Sequence, residues 1–374
     1  MIVCFTGDLF LGGDIVNSNL EKLVFSKKFY AADIRVANLE QAVSNKGIRM
    51  DKKASLYSYP ENLEHAKAMK IDAVSLSNNH IQDLNNNGIF NTLNSLKKYN
   101  ISCFGAGINQ SEARMPYWID NETCIIGYCE QNNTYLKKIQ VAESDKPGVN
   151  LLSYENVIRD LTSLPANSKA ILHFHWGREH VALPDIHIIN LAKKLLRNEK
   201  VLCIIGMHAH RIQGIIKYKD KRAYLSLGNF LFPNFYIKPP THIAYPKEIT
   251  QKIMTTKYYH FVGKLTYKKW KFKNRLSLIA LIHTKTGSII LVPVIQNKNI
   301  PIVNEVIGIK KELCLLKVKW YSLLYILPKP FYLVLHKLDV LYNKYFGYIY
   351  SFTFLLKQNG LKWAIQKALN FIKR

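Results

Sequence analysis

From residue 1 to about residue 230, short apolar runs alternate with segments of helical periodicity, and this rhythm constrains the fold more than any other feature of the chain. It is the signature of an α/β domain. Strands are expected at residues 2–6, 34–39, 73–77, 101–104, 124–128, 170–175, 201–205 and 223–227. Helices are expected over 60–69, where Pro60 suits a first turn, after Asn87, where Ile89, Leu93 and Leu96 recur at helical spacing, after Ser153, and over 190–198.

Each strand delivers a polar residue at or just beyond its C-terminal end, where an open α/β sheet places its site. Asp8 follows I-V-C-F-T-G, Asn38 and Glu40 close R-V-A-N-L-E, and Asn79 and His80 follow A-V-S-L-S. His173 and His175 precede Trp176-Gly177, His208 and His210 follow V-L-C-I-I-G, and Asn229 follows L-S-L-G. Singly these have ordinary readings: Asp8 a turn residue, Asn78-Asn79 a helix cap, His175 a core histidine. Jointly they form a ligand set for one or two divalent ions, Mn²⁺, Fe²⁺ or Zn²⁺, and the mixture of carboxylate, amide and imidazole argues against a structural thiolate zinc. His208 and His210 share a face if the extension of 201–205 persists. A metal that acidifies water and neutralises a polarised oxygen favours hydrolysis, with His208, His175 and Glu179 best placed for proton transfer. No G-x-S-x-G elbow, Walker loop or Rossmann fingerprint competes.

Beyond residue 230 the rhythm changes. Pro233, Pro239, Pro240 and Pro246, among many aromatics, predict an irregular loop or lid over 231–270. Residues 276–283 and 288–295, joined by T-K-T-G, predict a hairpin. Residues 1–300 are thus expected to form one domain and 310–374 a basic, aromatic-rich helical extension. That extension holds 12 Lys or Arg against Glu312 and Asp339, a mixture suited either to a membrane interface or to a helical subdomain packed on the main body. The net charge of +26 favours polyanions. Nucleic acid is disfavoured because no basic-aromatic module of recognised type is present. The six cysteines, without C-x-x-C, read as buried thiols of a reducing compartment. The opening M-I-V-C-F lacks a secretion signal and no apolar run reaches spanning length, so the expectation is a cytoplasmic protein, held at the inner membrane face by its tail.

The motifs T-G-D-L-F-L-G-G-D (6–14), N-L-E (38–40), S-L-S-N-N-H-I-Q-D (75–83), G-A-G (105–107), H-W-G-R-E-H (175–180), I-G-M-H-A-H-R-I-Q-G (205–214) and S-L-G-N-F (226–230) carry a resemblance. In that order they resemble the CapA family of capsule-synthesis, or poly-gamma-glutamate synthesis, proteins, related to calcineurin-like metallophosphoesterases. The resemblance implies a four-layered α/β/β/α sandwich with Asp8, Glu40, Asn79, His175, His208 and His210 as metal ligands. His80 joins His175, Glu179 and His208 as an acid/base or phosphate-contacting candidate, and Asn38, Arg178, His180 and Asn229 are the substrate-binding candidates. Two departures stand out. The Asp-x-His opening of related phosphoesterases is Asp8-Leu9-Phe10 here, which removes one ligand of a two-metal site, and His180 stands where the family commonly has tyrosine. The function implied is a metal-dependent hydrolase acting on an anionic polymer or its precursor. The alternatives are a non-catalytic assembly protein of the same pathway and a nucleic-acid phosphodiesterase.

Overall fold

Alternate residues of the first strand go to different cores: Val3 and Phe5 to one, Cys4 to another. The same two-residue sorting organises the whole α/β part. The computed structural model describes residues 1–18, 21–49, 55–239, 242–244, 254–256 and 264–372.

Two sheets carry the architecture. The first, with nine strands, runs Val24–Phe25, Val303–Glu305, Ile289–Gln296, Leu276–His283, Ile2–Leu9, Ile34–Leu39, Ala73–Ser75, Ser102–Phe104, and Asn229–Leu231 pairs beside the end of Ile2–Leu9. The second, with six, runs Ile215–Tyr218, Lys221–Tyr224, Val201–Met207, Lys169–His175, Thr123–Cys129, Tyr117–Trp118. The central pairings of both are parallel, so their C-terminal ends collect at one edge. The predicted hairpin is present, with Leu276 opposite Ile295 and Gly287 at φ +66° in its turn, and it joins the first sheet antiparallel to Ile2–Leu9.

Three apolar clusters follow from the alternation. Val3, Phe5, Val36 and Phe104 of the first sheet share one with Ile125, Ile171, Cys203 and Ile205 of the second. Cys4, Ala37, Leu39 and Val74 share another with Leu63, Ala66, Ile89 and Leu96 of the helices Leu63–Ala68 and Asn85–Lys98. Ile126, Leu172, Phe174 and Ile204 share the third with Val157, Leu161, Ile188 and Ile189 of the helices Tyr154–Ser163 and Ile186–Leu195. Each Val, Leu, Ile or Phe among them contributes about 1.5–3 kcal/mol on burial.

The last of these helices begins earlier than the periodicity over 190–198 suggests, at Ile186 directly after Asp185. The strand expected at 223–227 likewise ends at Tyr224, before Gly228 turns the chain at φ +80°. Of the expected loop 231–270, residues 240–241, 245–253 and 257–263 lie outside the described residues. Its described part is more regular than its prolines suggest: Phe235–Lys238, His242–Ala244, Met254–Thr256 and Thr266–Lys268 form a four-stranded sheet. The chain then ends in helix Gly308–Leu324 and a helical run Lys329–Ile372 broken at Gly360 (φ +77°). All six cysteines are free, five of them buried, and burial raises the thiols of Cys4 and Cys203.

Candidate metal centre

The site lies where the C-terminal ends of the two sheets meet. Period-two alternation accounts for part of it. On Ile34–Leu39, Val36 faces the second sheet, so Asn38 does too, with Glu40 following; on Lys169–His175, Ile171 does, so His173 and His175 do too.

Two ligand positions break that alternation. In Ile2–Leu9, Phe5 faces the second sheet and Leu9 faces the helices, so the parity reverses between them. The cause is a register shift between Phe5 and Asp8 in the pairing with Ile34–Leu39, which re-aims Asp8 inward and sets it beside Asn38 on one flank and Asn229 on the other. The strand Val201–Met207 ends before His208, and His208 (φ +85°) and His210 (φ +50°) are both left-handed. The expected persistence of the extension is therefore corrected: a turn, not a continued strand, brings the two rings to 6.1 Å. Such backbone costs about 1–3 kcal/mol per residue and concentrates at functional positions.

The geometry is tight. His210 places Nδ1 at 3.2 Å from Asp8 Oδ2 and Nε2 at 3.5 Å from Glu40 Oε1, while His175 Nε2 is 3.8 Å from the same Glu40 oxygen. The His175 and His208 rings are 4.4 Å apart. Two donor triads result, Glu40–His175–His208 and Asp8–Glu40–His210, each with ligand atoms within 4.8 Å of one another, and Glu40 belongs to both. All five residues are buried.

Neighbouring amides orient them. The Asn38 amide donates to Asp8 Oδ1 at 2.9 Å and lies 3.4 Å from His175 Nδ1. His175 Nε2 is 2.8 Å from Asn79 Oδ1, and His210 Nδ1 is 2.8 Å from Asn229 Oδ1. Asn38 and Asn229, read from sequence as substrate-binding, are thus buried against ligand side chains. His80 is fixed from behind by Asp83, Nδ1 to Oδ2 at 2.6 Å, with Nε2 at 4.0 Å from Glu40.

Electrostatics follow burial. Desolvation raises the Glu40 carboxyl well above its ordinary range and pushes the imidazoles of His175 well down and of His208 down to about 4. His210 is opposed by burial too, but the Glu40 and Asp8 carboxylates outweigh it and push it up to about 10. Both Glu40 oxygens, Asp8 Oδ2, His208 Nδ1 and Asn229 Nδ2 are buried without a hydrogen-bond partner. Unsatisfied buried polar atoms each cost about 1–3 kcal/mol, so the acceptor atoms of Asp8, Glu40 and His208 together call for a ligand that takes lone pairs. Carboxylates, with the imidazoles of His175 and His208 that burial keeps neutral, suit a divalent cation. Phe10, where the resemblance would imply a further histidine ligand, packs on Phe232 and Phe235.

The remaining predicted residues lie around the cluster. His180 sits 5.5 Å from the His210 ring and 6.1 Å from Trp270, and Glu179 Oε2 is 3.6 Å from His180 Nε2. Arg178 is held by Asp185 at 3.2 Å and stacks over Tyr135 at 4.6 Å. Tyr135 lines a cleft of about 180 Å³ together with Asn79, Lys137 and Lys138. His173 lies deeper, between Phe5 and Phe104, pushed down to about 4 by burial.

Sequence reasoning missed several contributors. Asp83 could have been found from the i, i+3 spacing in N-H-I-Q-D. Glu130, which accepts the Gly177 N–H at 2.7 Å and meets His187 at 2.8 Å, closes its strand like the other site residues and could have been found by that rule. Trp270, 5.7 Å from the His210 ring, carried no signal, since it follows the site motifs by dozens of residues.

Comparison with known proteins adds context to this geometry. The family model described as "Bacterial capsule synthesis protein PGA_cap" matches residues 3–234. The PGA biosynthesis protein CapA of Bacillus subtilis (strain 168) is 26% identical over 241 residues, 61% of this chain and 62% of its own length. The capsule biosynthesis protein CapA of Bacillus anthracis is 22% identical over 189 residues, 49% of this chain and 46% of its own. A Mycobacterium tuberculosis protein named as a probable polyglutamine synthesis accessory protein is 27% identical over 159 residues, 39% and 42% respectively. The matches span less than two thirds of the length of each relative.

Proposed function

The chain belongs to the bacterial capsule synthesis protein PGA_cap family, and we propose that it is a metal-dependent hydrolase acting in biosynthesis of a capsule or poly-gamma-glutamate-type polymer. The observation that carries this reading is the set of orphaned, buried donor atoms on Asp8, Glu40 and His208. The two triads would hold two ions of Mn, Fe or Zn with Glu40 common to both, and Asn79 beside them as an amide donor. We also read the fold as the α/β/β/α layering of metallophosphoesterases; the three clusters, one between the sheets and one under each helix set, support it.

A bound divalent ion supplies Lewis acidity toward a water molecule and toward a phosphoryl or carbonyl oxygen. The protein's own residues do the rest. Asn38 fixes the Asp8 carboxylate by donating to Oδ1, leaving Oδ2 for the ion. His80, with Nδ1 committed to Asp83, presents Nε2 as the atom that carries a proton to or from the reacting group. Lys137 and Lys138 in the cleft wall, with Arg178 above Tyr135, supply positive charge along the approach of an anionic chain. His180 and Glu179 border the cluster on the side of Trp270.

The test is turnover of poly-gamma-glutamate and of a generic phosphodiester such as bis(4-nitrophenyl) phosphate, with Mn²⁺, Fe²⁺ or Zn²⁺ added to chelator-treated protein. The reading requires metal-dependent turnover of at least one of them that disappears in Asp8→Ala and His208→Ala. Phe10 in a ligand position favours a second reading, an assembly protein that binds metal or polymer without cleaving it. Metal binding with no turnover, and unchanged polymer output from a folded ligand mutant, would select that reading.

A further inference from the structure

The C-terminal helices present an apolar face that the rest of the chain leaves uncovered. On Gly308–Leu324, Ile309, Leu313, Leu316, Trp320 and Leu323 recur at i, i+4, i+7, i+11 and i+14, and all five are exposed, Trp320 by 60% and Ile309 by 76%. Cys314, Val318 and Tyr325 occupy the opposite face and are buried on the main body. The following helix repeats the pattern: Phe331, Val334, Leu338, Tyr342 and Tyr345 are exposed, Phe331 by 66%, while Tyr332 is buried and bonded to the Pro184 carbonyl at 2.6 Å. The corner between the helices is itself apolar and open, with Ile326 exposed by 77%. Scattered exposed apolar residues need no explanation, but two stripes on consecutive helices do.

Charge identifies the occupant. The exposed Lys310 and Lys319 flank the first stripe, and the Lys271 and Lys273 ammonium groups lie 5.5 Å and 5.4 Å from the Phe346 and Tyr342 rings beside the second. Of the two acidic residues in 310–374, Asp339 faces inward: its Oδ2 accepts from the Ala182 and Leu183 amides at 2.6 and 3.1 Å. Glu312, exposed and paired with Lys311, is the one acidic group on the outer side, so a second copy would set mostly lysines against lysines, which disfavours self-association. Apolar side chains with Trp and Tyr, rimmed by lysine, suit the headgroup region of a bilayer containing anionic lipid. Among the described residues no helix is long and apolar enough to cross a membrane, so the contact would lie in the interface plane.

We propose that helix Gly308–Leu324 and the first part of the helical run after it, residues 329–346, form a docking surface for anionic membrane. The inner face of the second helix ties that surface to the metal centre. Asp339 holds the 182–183 backbone and lies 3.7 Å from Arg211, which donates to the His180 carbonyl at 3.0 Å. Docking and site are thereby held in one fixed relation.

The experiment is co-sedimentation of the full chain with vesicles of phosphatidylcholine alone or mixed with phosphatidylglycerol, at low and high salt. Wild type should bind the mixed vesicles, release several-fold at high salt, and leave neutral vesicles unbound. Two variants probe the two components, Leu316→Gln/Trp320→Gln for the apolar stripe and Lys310→Glu/Lys319→Glu for the charge. Each should weaken binding by about tenfold while leaving melting temperature and metal content unchanged. Equal binding to neutral and anionic vesicles, or undiminished binding by both variants, would overturn the proposal. So would a concentration-dependent dimer in sedimentation velocity that Leu316→Gln/Trp320→Gln dissolves, found together with no lipid binding, because it would assign the surface to a second copy. None of these readouts depends on catalysis, so the docking proposal and the hydrolase reading can fail separately.

Discussion

The two sheets contribute different chemistry to the centre they share. The nine-stranded sheet brings the carboxylates and amides, with Asp8, Asn38 and Asn229 on its strands and Glu40 and Asn79 just beyond, whereas the six-stranded sheet brings the imidazoles His175, His208 and His210. Neither end is a complete site: each triad takes its carboxylates from one sheet and its imidazoles from the other. Both candidate triads therefore depend on the apolar contact between the sheets, in which Val3, Phe5, Ile171 and Ile205 share one cluster. The two sides also reach their geometry differently. The carboxylate side uses a register shift before Asp8; the imidazole side uses left-handed backbone at His208 and His210.

Several changes would break or sharpen that contrast. The largest effect belongs to the one residue common to both triads. Glu40→Gln should weaken metal affinity by more than about 100-fold at both positions, beyond what loss of an orienting group costs, as measured by calorimetric titration of chelator-treated protein. Asn38→Ala should lower affinity by about 10–100-fold, because Asn38 orients Asp8 and borders His175 and is not itself one of the triad ligands. Each sheet also has a glycine just ahead of its candidate ligand where the 225–228 connection comes close. A Cβ at Gly7 would collide with the Gly228 carbonyl, and one at Gly206 with the Leu225 carbonyl and the Trp176 ring nitrogen. Gly7→Ala and Gly206→Ala should each cost about 1–3 kcal/mol in denaturant unfolding, since close-packed backbone cannot yield cheaply. If only one did, one sheet would set its ligand geometry less rigidly than the other.

The smallest effect is a pH dependence on the imidazole side. The hydrogen bond to Glu130 raises His187 above its ordinary value, against the cost of burial. A histidine raised on folding contributes its stability fully below about pH 6.5 and loses it as pH rises through the folded value. His187 is half-exposed, so screening keeps this to about 0.5 kcal/mol or less. The pH profile of melting temperature should show that decline in wild type, and His187→Gln should flatten it.

Much of the α/β part was legible from sequence because apolar alternation and length of run report directly on burial. The strand-end polar residues read from sequence do converge in one buried cluster, and for Asn38, Glu40 and His175 the two-residue period also gave the face. It could not do so for Asp8 or His208. A register shift depends on how two strands pair, and a left-handed histidine depends on what over-determines the turn, and neither leaves a local pattern. The strands within 231–270 were hidden by proline content, which marks edges and turns as readily as irregular backbone. The exposed stripe on the C-terminal helices was visible as composition, but which side faced the body required Cys314, Val318 and Tyr332 to be seen buried.

The most direct test of a centre built jointly by the two sheets is metal stoichiometry by elemental analysis of wild type, Asp8→Ala and His208→Ala, with the fold of each confirmed by circular dichroism. Each variant removes a ligand from one triad only, so about two ions in wild type and about one in each variant are predicted. Wild type that cannot be loaded with Mn²⁺, Fe²⁺ or Zn²⁺, or folded variants that hold as much metal as wild type, would contradict it.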